Sequence, residues 1–281
     1  AYEIVSRDWS SDVCSSDLYS SGKPAYGVGA GNATMVIDAT ADVAEAARNS
    51  AISKTNDFGS GCSADGNLVI DASIYDAMLA RLQAEGGYLV NAAEKAKLQA
   101  AYWDADGVRT ADTIARSAEV VAAKAGIALP AGKTFFLVEE TNIGKEHHFS
   151  REKLGVVMGL FKAHGFDDAL EKVRRIYATG GRGHSCGIYS FSDENINRLA
   201  LMAPVSRIMV RQVQSRANAG NFNNGMPMTS SMGCGIWGGN ITNENISLKH
   251  YMNVTWVSRP IPEDRPSEAE LFGEFYNTAT F

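Results

Sequence analysis

The chain has 281 residues, 45% of them hydrophobic and 21% charged, which is an ordinary globular composition with apolar mass for one or two cores. Twenty-six basic against thirty-two acidic side chains leave a formal charge of −6, so no basic surplus exists to neutralise a nucleic-acid backbone. No apolar run approaches the roughly 20 residues of a membrane helix, and the opening AYEIVSRDWSSDV lacks the apolar core of a signal peptide. Cysteines at 14, 62, 186 and 234 show no CxxC spacing; isolated thiols in a reduced, cytoplasmic protein are the reading, not a disulfide scaffold.

Residues 8–18, DWSSDVCSSDL, have neither helical nor strand period. They match the in-frame translation of a short-read sequencing adaptor. Residues 1–18 are therefore set apart as an artefactual leader, and the natural chain is expected to lose its N-terminal part before Tyr19. From there the elements follow in order. Pro24 to Gly31 is glycine-rich and leads into a strand, ATMVID. Apolar residues at 43, 44, 47, 51 and 52 predict an amphipathic helix over Ala41–Lys54, with Asp42 near its start. FGSGCSADG is a turn carrying Cys62, NLVI is a strand, and Asp71 is expected to cap a helix running to about Ala84. Ala-rich helices are predicted over 91–102 and 109–125, a strand at TFFLVEE, and a turn then a strand in REKLGVVMGLFKA. A helix over Asp167–Ala178, a turn at GGRGHSCG, a strand IYSF, a helix over Asp193–Ala203 and a strand RIMVRQ come next. Two polar, glycine-rich loops precede HYMNVTWVSR, whose alternation predicts a final antiparallel strand, and a proline-bearing tail with a short amphipathic segment. Strands alternating with helices argue for an α/β fold around a mostly parallel sheet.

Cys62 is the leading chemical candidate. It sits in a glycine-rich turn between a helix and a strand, where backbone amides can approach a substrate oxygen and a thiolate can attack a carbonyl. No His or Lys adjoins it in sequence, so the sequence shows no means of activating it; the alternative is an inert buried cysteine. Gly183-His184-Ser185-Cys186-Gly187 fits G-x-S-x-G, but a hydrolase elbow runs from strand to helix and here the order is reversed. The histidines lack zinc-ligand spacing, so no metal is expected. Gly27-Val28-Gly29-Ala30-Gly31-Asn32 fails the full G-x-G-x-x-G pattern at Asn32. Arg207, Arg211 and Arg216 flank a loop with Asn218, Asn221, Asn223 and Asn224, and could grip an anionic group.

Taken together, SSGKPAYGVGAGNA, SKTNDFGSGCSADGNLVID, HHFSREKLGVVM, GGRGHSCGIYS and SMGCGIWGGNITNENISLKHYMNVTWVSRP resemble the CoA-acylating branch of the aldehyde dehydrogenase superfamily, from Tyr19 to about residue 275. Within that branch the likeness is greatest to members acting on sulfoacetaldehyde. The resemblance implies Cys62 as catalytic nucleophile, Glu152 on the nicotinamide ribose, and His184 and Gly29 near the NAD or NADP cofactor. Val28, 34 residues before Cys62, takes the place of the general-base glutamate of hydrolytic members. Valine cannot activate water, which fits coenzyme A as the acyl acceptor. The substrate would be a small aldehyde, sulfoacetaldehyde first and acetaldehyde or succinate semialdehyde as alternatives, with Arg207, Arg211 and Asn218 holding the sulfonate. The implied domains are a remnant of the nucleotide-binding domain at 19–29, the catalytic domain at 30–240, and a C-terminal oligomerisation strand and tail at 241–281. Much of the cofactor domain, and the asparagine of the oxyanion hole, would be missing, so the 281-residue chain is expected to be inactive and homo-oligomeric. A truncated assembly subunit without chemistry is the non-enzymatic alternative.

Overall fold

The computed structural model describes residues 18–276; all but the last residue of the adaptor-like stretch, and the thiol of Cys14, lie outside them. Seven strands form one sheet in the order β3-β4-β5-β2-β1-β6-β7, with every pairing parallel. They are β1 Thr34–Ile37, β2 Asn67–Asp71, β3 Gly87–Leu89, β4 Phe135–Glu139, β5 Val157–Ala163, β6 Cys186–Tyr189 and β7 Ile208–Val210. The helices are α1 Val43–Thr55, α2 Tyr75–Ala84, α3 Ala92–Tyr102, α4 Ala118–Ala125, α5 Phe166–Thr179, α6 Asp193–Met202, the single turn α7 Gln214–Ala217, and α8 Glu268–Phe272.

The near-continuous apolar strands follow from burial on both faces of a parallel sheet. Successive side chains point to opposite faces. Met35, Ile37, Leu68 and Ile70 pack with α1 to α4, whereas Val36 and Val69 pack on the other face with Val173, Ile176 and Tyr177 of α5 and Leu199 of α6.

Asp42 caps α1 as expected, its carboxylate accepting from the amides of Ala44 and Glu45. Two local expectations are corrected. Asp71 does not cap α2: its carboxylate is taken by the Ser73 amide and hydroxyl, and the helix starts later at Tyr75. The helix expected over 109–125 forms only from Ala118. Arg109 instead pairs with Trp103 in an antiparallel bridge, and its guanidinium binds the carbonyls of Lys153, Tyr102 and Thr110. The three-residue edge strand β3 escapes prediction because it is too short to show a period.

The contact pattern divides the chain after Ser247, beyond the boundary expected at 240. Within the first unit the Met232–Asn245 bridge and the Gly235 amide on Thr242 keep the loop after 240 attached to its own stem. In the second unit, HYMNVTWVSR is not a strand. Its alternating residues find no ladder partner among the described residues, and extended backbone without one gains no sheet hydrogen bonds. Trp256 is 91% exposed. The short helix α8 follows, closed by a capping box between Ser267 and Glu270.

Candidate active site

Four central strands, β5, β2, β1 and β6, lie side by side. The loop leading into each one supplies a residue at the same edge: Glu152 before β5, Cys62 before β2, Gly31 before β1 and His184 before β6. The site is therefore at the N-terminal ends of the strands. Open parallel sheets more commonly bind ligands at the carboxyl ends.

Gly31 is the pivot of this arrangement. Its amide donates to Glu152 Oε1 at 3.0 Å. A Cβ there would stand 2.0 Å from the carbonyl oxygen of Cys62, so only glycine lets the three segments meet. Cys62 is half-buried and lines a cleft with Asn32, Lys54, Glu152 and Lys153. Its sulfur lies 2.9 Å from Nε2 of His184, a residue 122 positions away in sequence. Nδ1 of the same ring is 2.9 Å from Ser185 Oγ. The tautomer with its hydrogen on Nδ1 donates to that hydroxyl and leaves the Nε2 lone pair facing the thiol.

The electrostatics keep this pair neutral. Burial pushes the Cys62 thiol up to about 12, and the negative charge of Glu152 and then the Cys234 thiol add to the effect, while the amides of Cys62 and Ser63 oppose it. Burial and then the Arg207 charge hold His184 down to about 3. A neutral imidazole thus faces a protonated thiol, and attack on a carbonyl requires the proton to pass from sulfur to nitrogen. Replacing Glu152 by Gln removes the carboxylate charge that raises the thiol. Alkylation of Cys62 by iodoacetamide at pH 8 should then rise roughly threefold or more, read by mass spectrometry as the rate at that cysteine. An unchanged or slower rate would contradict the assigned field.

His184, expected near the cofactor, contacts the thiol itself, a role that no local motif announced. Gly29 lies against Cys234, where an added Cβ would be 3.0 Å from its sulfur. Cys186 is sealed in the core beside α5, and its thiol is pushed up to about 12 by burial.

The residues expected to hold a sulfonate do not form one site. Arg207 is buried, and its guanidinium donates to Asn245 Oδ1 and to the carbonyls of His184, Gly233 and Asn243. It braces the His184 turn against the 233–245 loop and presents no open fork to an anion. Arg211 follows the carboxyl end of β7, one strand length from the edge that carries Cys62, and stacks on Phe191 with 4.2 Å from guanidinium carbon to ring centroid. Asn218 is buried, and its side-chain amide donates to the Gln214 carbonyl. Among the described residues no cluster of three or more His, Cys, Asp or Glu could hold a metal, and no helix is long and apolar enough to cross a membrane.

No family model matches the chain. It is 42% identical over 261 residues to the acylating sulfoacetaldehyde dehydrogenase of Cupriavidus necator, covering 92% of this chain and 52% of that one. It is 41% identical over 261 residues to a sulfoacetaldehyde dehydrogenase of an Acholeplasma species, covering 92% and 54%. The crystal structure of an acetylating aldehyde dehydrogenase from Geobacillus thermoglucosidasius superposes with a TM-score of 0.82 at 32% identity, over 89% of this chain and 55% of that one. The chain thus spans about half the length of the relatives it matches. By its sequence and its seven-stranded parallel fold, the chain matches about half of an acylating aldehyde dehydrogenase.

Proposed function

We propose that this chain carries the acyl-transfer chemistry of a CoA-acylating aldehyde dehydrogenase, with Cys62 as the nucleophile and His184 as its base. The observation that carries this reading is the 2.9 Å approach of His184 Nε2 to Cys62 Sγ in a cleft that Glu152 also lines. The sulfur adds to the aldehyde carbon while its proton moves to Nε2, giving a thiohemiacetal on Cys62. The half-buried Glu152 carboxylate faces the same cleft and has the acceptor chemistry that ribose hydroxyls require, so it would hold the nicotinamide end of NAD or NADP. That cofactor, when bound, would accept the hydride released from the carbonyl carbon. An acyl thioester is then left on Cys62. Val28, which stands where a hydrolytic relative would carry its glutamate, takes no proton, so water is not activated from that position. The thiol of coenzyme A instead gives its proton to His184 as its sulfur adds to the acyl carbon, and that proton passes to the Cys62 sulfur as it leaves, the proton of the first step having gone to solvent.

Sulfoacetaldehyde is the proposed aldehyde, on the strength of the relatives named above. Self-association is proposed for the 250–259 segment, whose Met252, Val254 and Trp256 alternate and are all exposed.

The acyl-transfer half can be tested without a nucleotide. Incubated with acetyl-CoA or sulfoacetyl-CoA, the purified chain should acquire the acyl group on Cys62, seen by peptide mass spectrometry, and faster from the sulfonated thioester. Equal labelling of Cys186 and Cys234, or none at Cys62, would sink the chemical reading. Equal rates from the two thioesters would sink the substrate.

A further inference from the structure

We propose that Lys54 is a positioning residue that clamps the Cys62 turn to the Glu152 turn through the carbonyl of Gly155. The role of those two turns rests on the function proposed above, but the clamp itself is a matter of packing.

Lys54 closes the last turn of α1, immediately before the thiol turn, and is only 2% exposed. Lysine is rarely buried without a partner that needs it. Its Nζ donates to Gly155 O at 3.0 Å. The Val157 amide donates to the same oxygen, so that carbonyl serves both the start of β5 and the end of α1. Gly59, within the thiol turn, packs close to the same oxygen. An added Cβ there would be 2.6 Å from Gly155 O and 2.8 Å from the Lys54 carbonyl, and its φ of +69° already favours glycine. One carbonyl of the Glu152 turn is therefore enclosed by both ends of the segment that leads to Cys62.

Both turns are strained where they meet. Asp57 and Phe58 adopt φ of 46° and 53°, and Leu154 adopts 45°. A non-glycine residue in this region is strained and persists only where its surroundings over-determine it. The Lys54 ammonium supplies such a restraint from outside either turn. Lys153, the buried neighbour of Glu152, is bound elsewhere, to the carbonyls of Phe149 and Arg151 and to Asn67 Oδ1. The charged groups around the Lys54 ammonium are Asp65, Glu152 and Lys153. Burial lowers Lys54 to about 8, against the attraction of the two carboxylates, so it carries its charge at neutral pH.

The test compares the 281-residue chain with K54M, of similar length but without a donor, and K54R, which keeps one. Hydrogen exchange read by mass spectrometry should rise at least tenfold in peptides covering 57–63 and 152–156 of K54M and stay unchanged in β2 and β5. Acylation of Cys62 by acetyl-CoA should fall at least tenfold, with partial recovery in K54R. Wild-type exchange and acylation in folded K54M would overturn the clamp. So would an equal rise in exchange across the strands, which means general loosening. If the Asp65 carboxylate, left without its neighbour, prevents folding of K54M, the double variant K54M/D65N carries the same expectations. Failure of that variant to fold also overturns the proposal, since Lys54 would then support the whole domain and not two turns. If acetyl-CoA fails to label the wild type, the chemical reading has failed, and the exchange data alone decide the clamp.

Discussion

Replacing His184 by Asn lowers the rate at which acetyl-CoA acylates Cys62 by about 100- to 1,000-fold, the range expected when a positioned general base is removed. The thiol is pushed up to about 12, so at pH 7 almost none of it is ionised, and its attack needs a group that takes the proton as the carbon–sulfur bond forms. Nε2 at 2.9 Å is that base, and a neutral one, because burial and Arg207 keep the ring unprotonated down to about pH 3. An asparagine nearly fills the space but accepts no proton. The same substitution changes the response of stability to acid. His184 takes its proton at about 3 in the folded chain and near the ordinary 6.5 when unfolded. Between those values the unfolded chain binds the extra proton, so folding weakens as pH falls from 6.5 towards 3. The decline in urea midpoint across that window should be shallower in H184N. A Cys62 acylation rate within threefold of wild type would remove His184 from the mechanism.

Replacing Arg207 by Met destabilises the first unit by about 3 kcal/mol, the scale of leaving several buried acceptors without donors. The loss comes from four oxygens: Asn245 Oδ1 and the carbonyls of His184, Gly233 and Asn243. A residue placed to grip a sulfonate would behave differently. Its removal would slow acylation from sulfoacetyl-CoA far more than from acetyl-CoA and leave the urea midpoint near wild type. The brace predicts the opposite pattern, a lower midpoint and similar proportional slowing for both thioesters. Lysine at 207 should recover little, because one ammonium cannot reach four acceptors spread over two loops.

Much of the architecture is legible in the residues themselves. TMVI and NLVI run apolar without alternation, as strands covered on both faces must. Asp42 followed by apolar residues at helical spacing locates α1 to within a residue or two. The glycines around Cys62 mark a turn that brings backbone close to a reacting group, and the separated motifs are specific enough to identify the family. What misled were features whose outcome depends on distant neighbours. Arg207 and Asn218 read as an anion site because Arg and Asn cluster there in sequence, yet Arg207 faces inward to carbonyls of other segments and Asn218 binds back to the Gln214 carbonyl of its own turn. Residues 109–117 carry helix-favouring alanines, but the guanidinium of Arg109 gains more from the carbonyls of Lys153 and Tyr102 than the helix offers.

The sequence by itself determined the α/β alternation, the two-faced burial of the strands and the glycine positions, because these depend on side-chain period and on backbone freedom within a few residues. Only the tertiary structure decided that Glu152, Cys62, Gly31 and His184 meet at one edge. That meeting follows from the order β5-β2-β1-β6, which is set by how helices from distant parts of the chain pack across the sheet and has no counterpart in local spacing. The same long-range packing sets His184 against the Cys62 sulfur, turns Arg207 from a candidate ligand into a brace, and buries Lys54 between two strained turns.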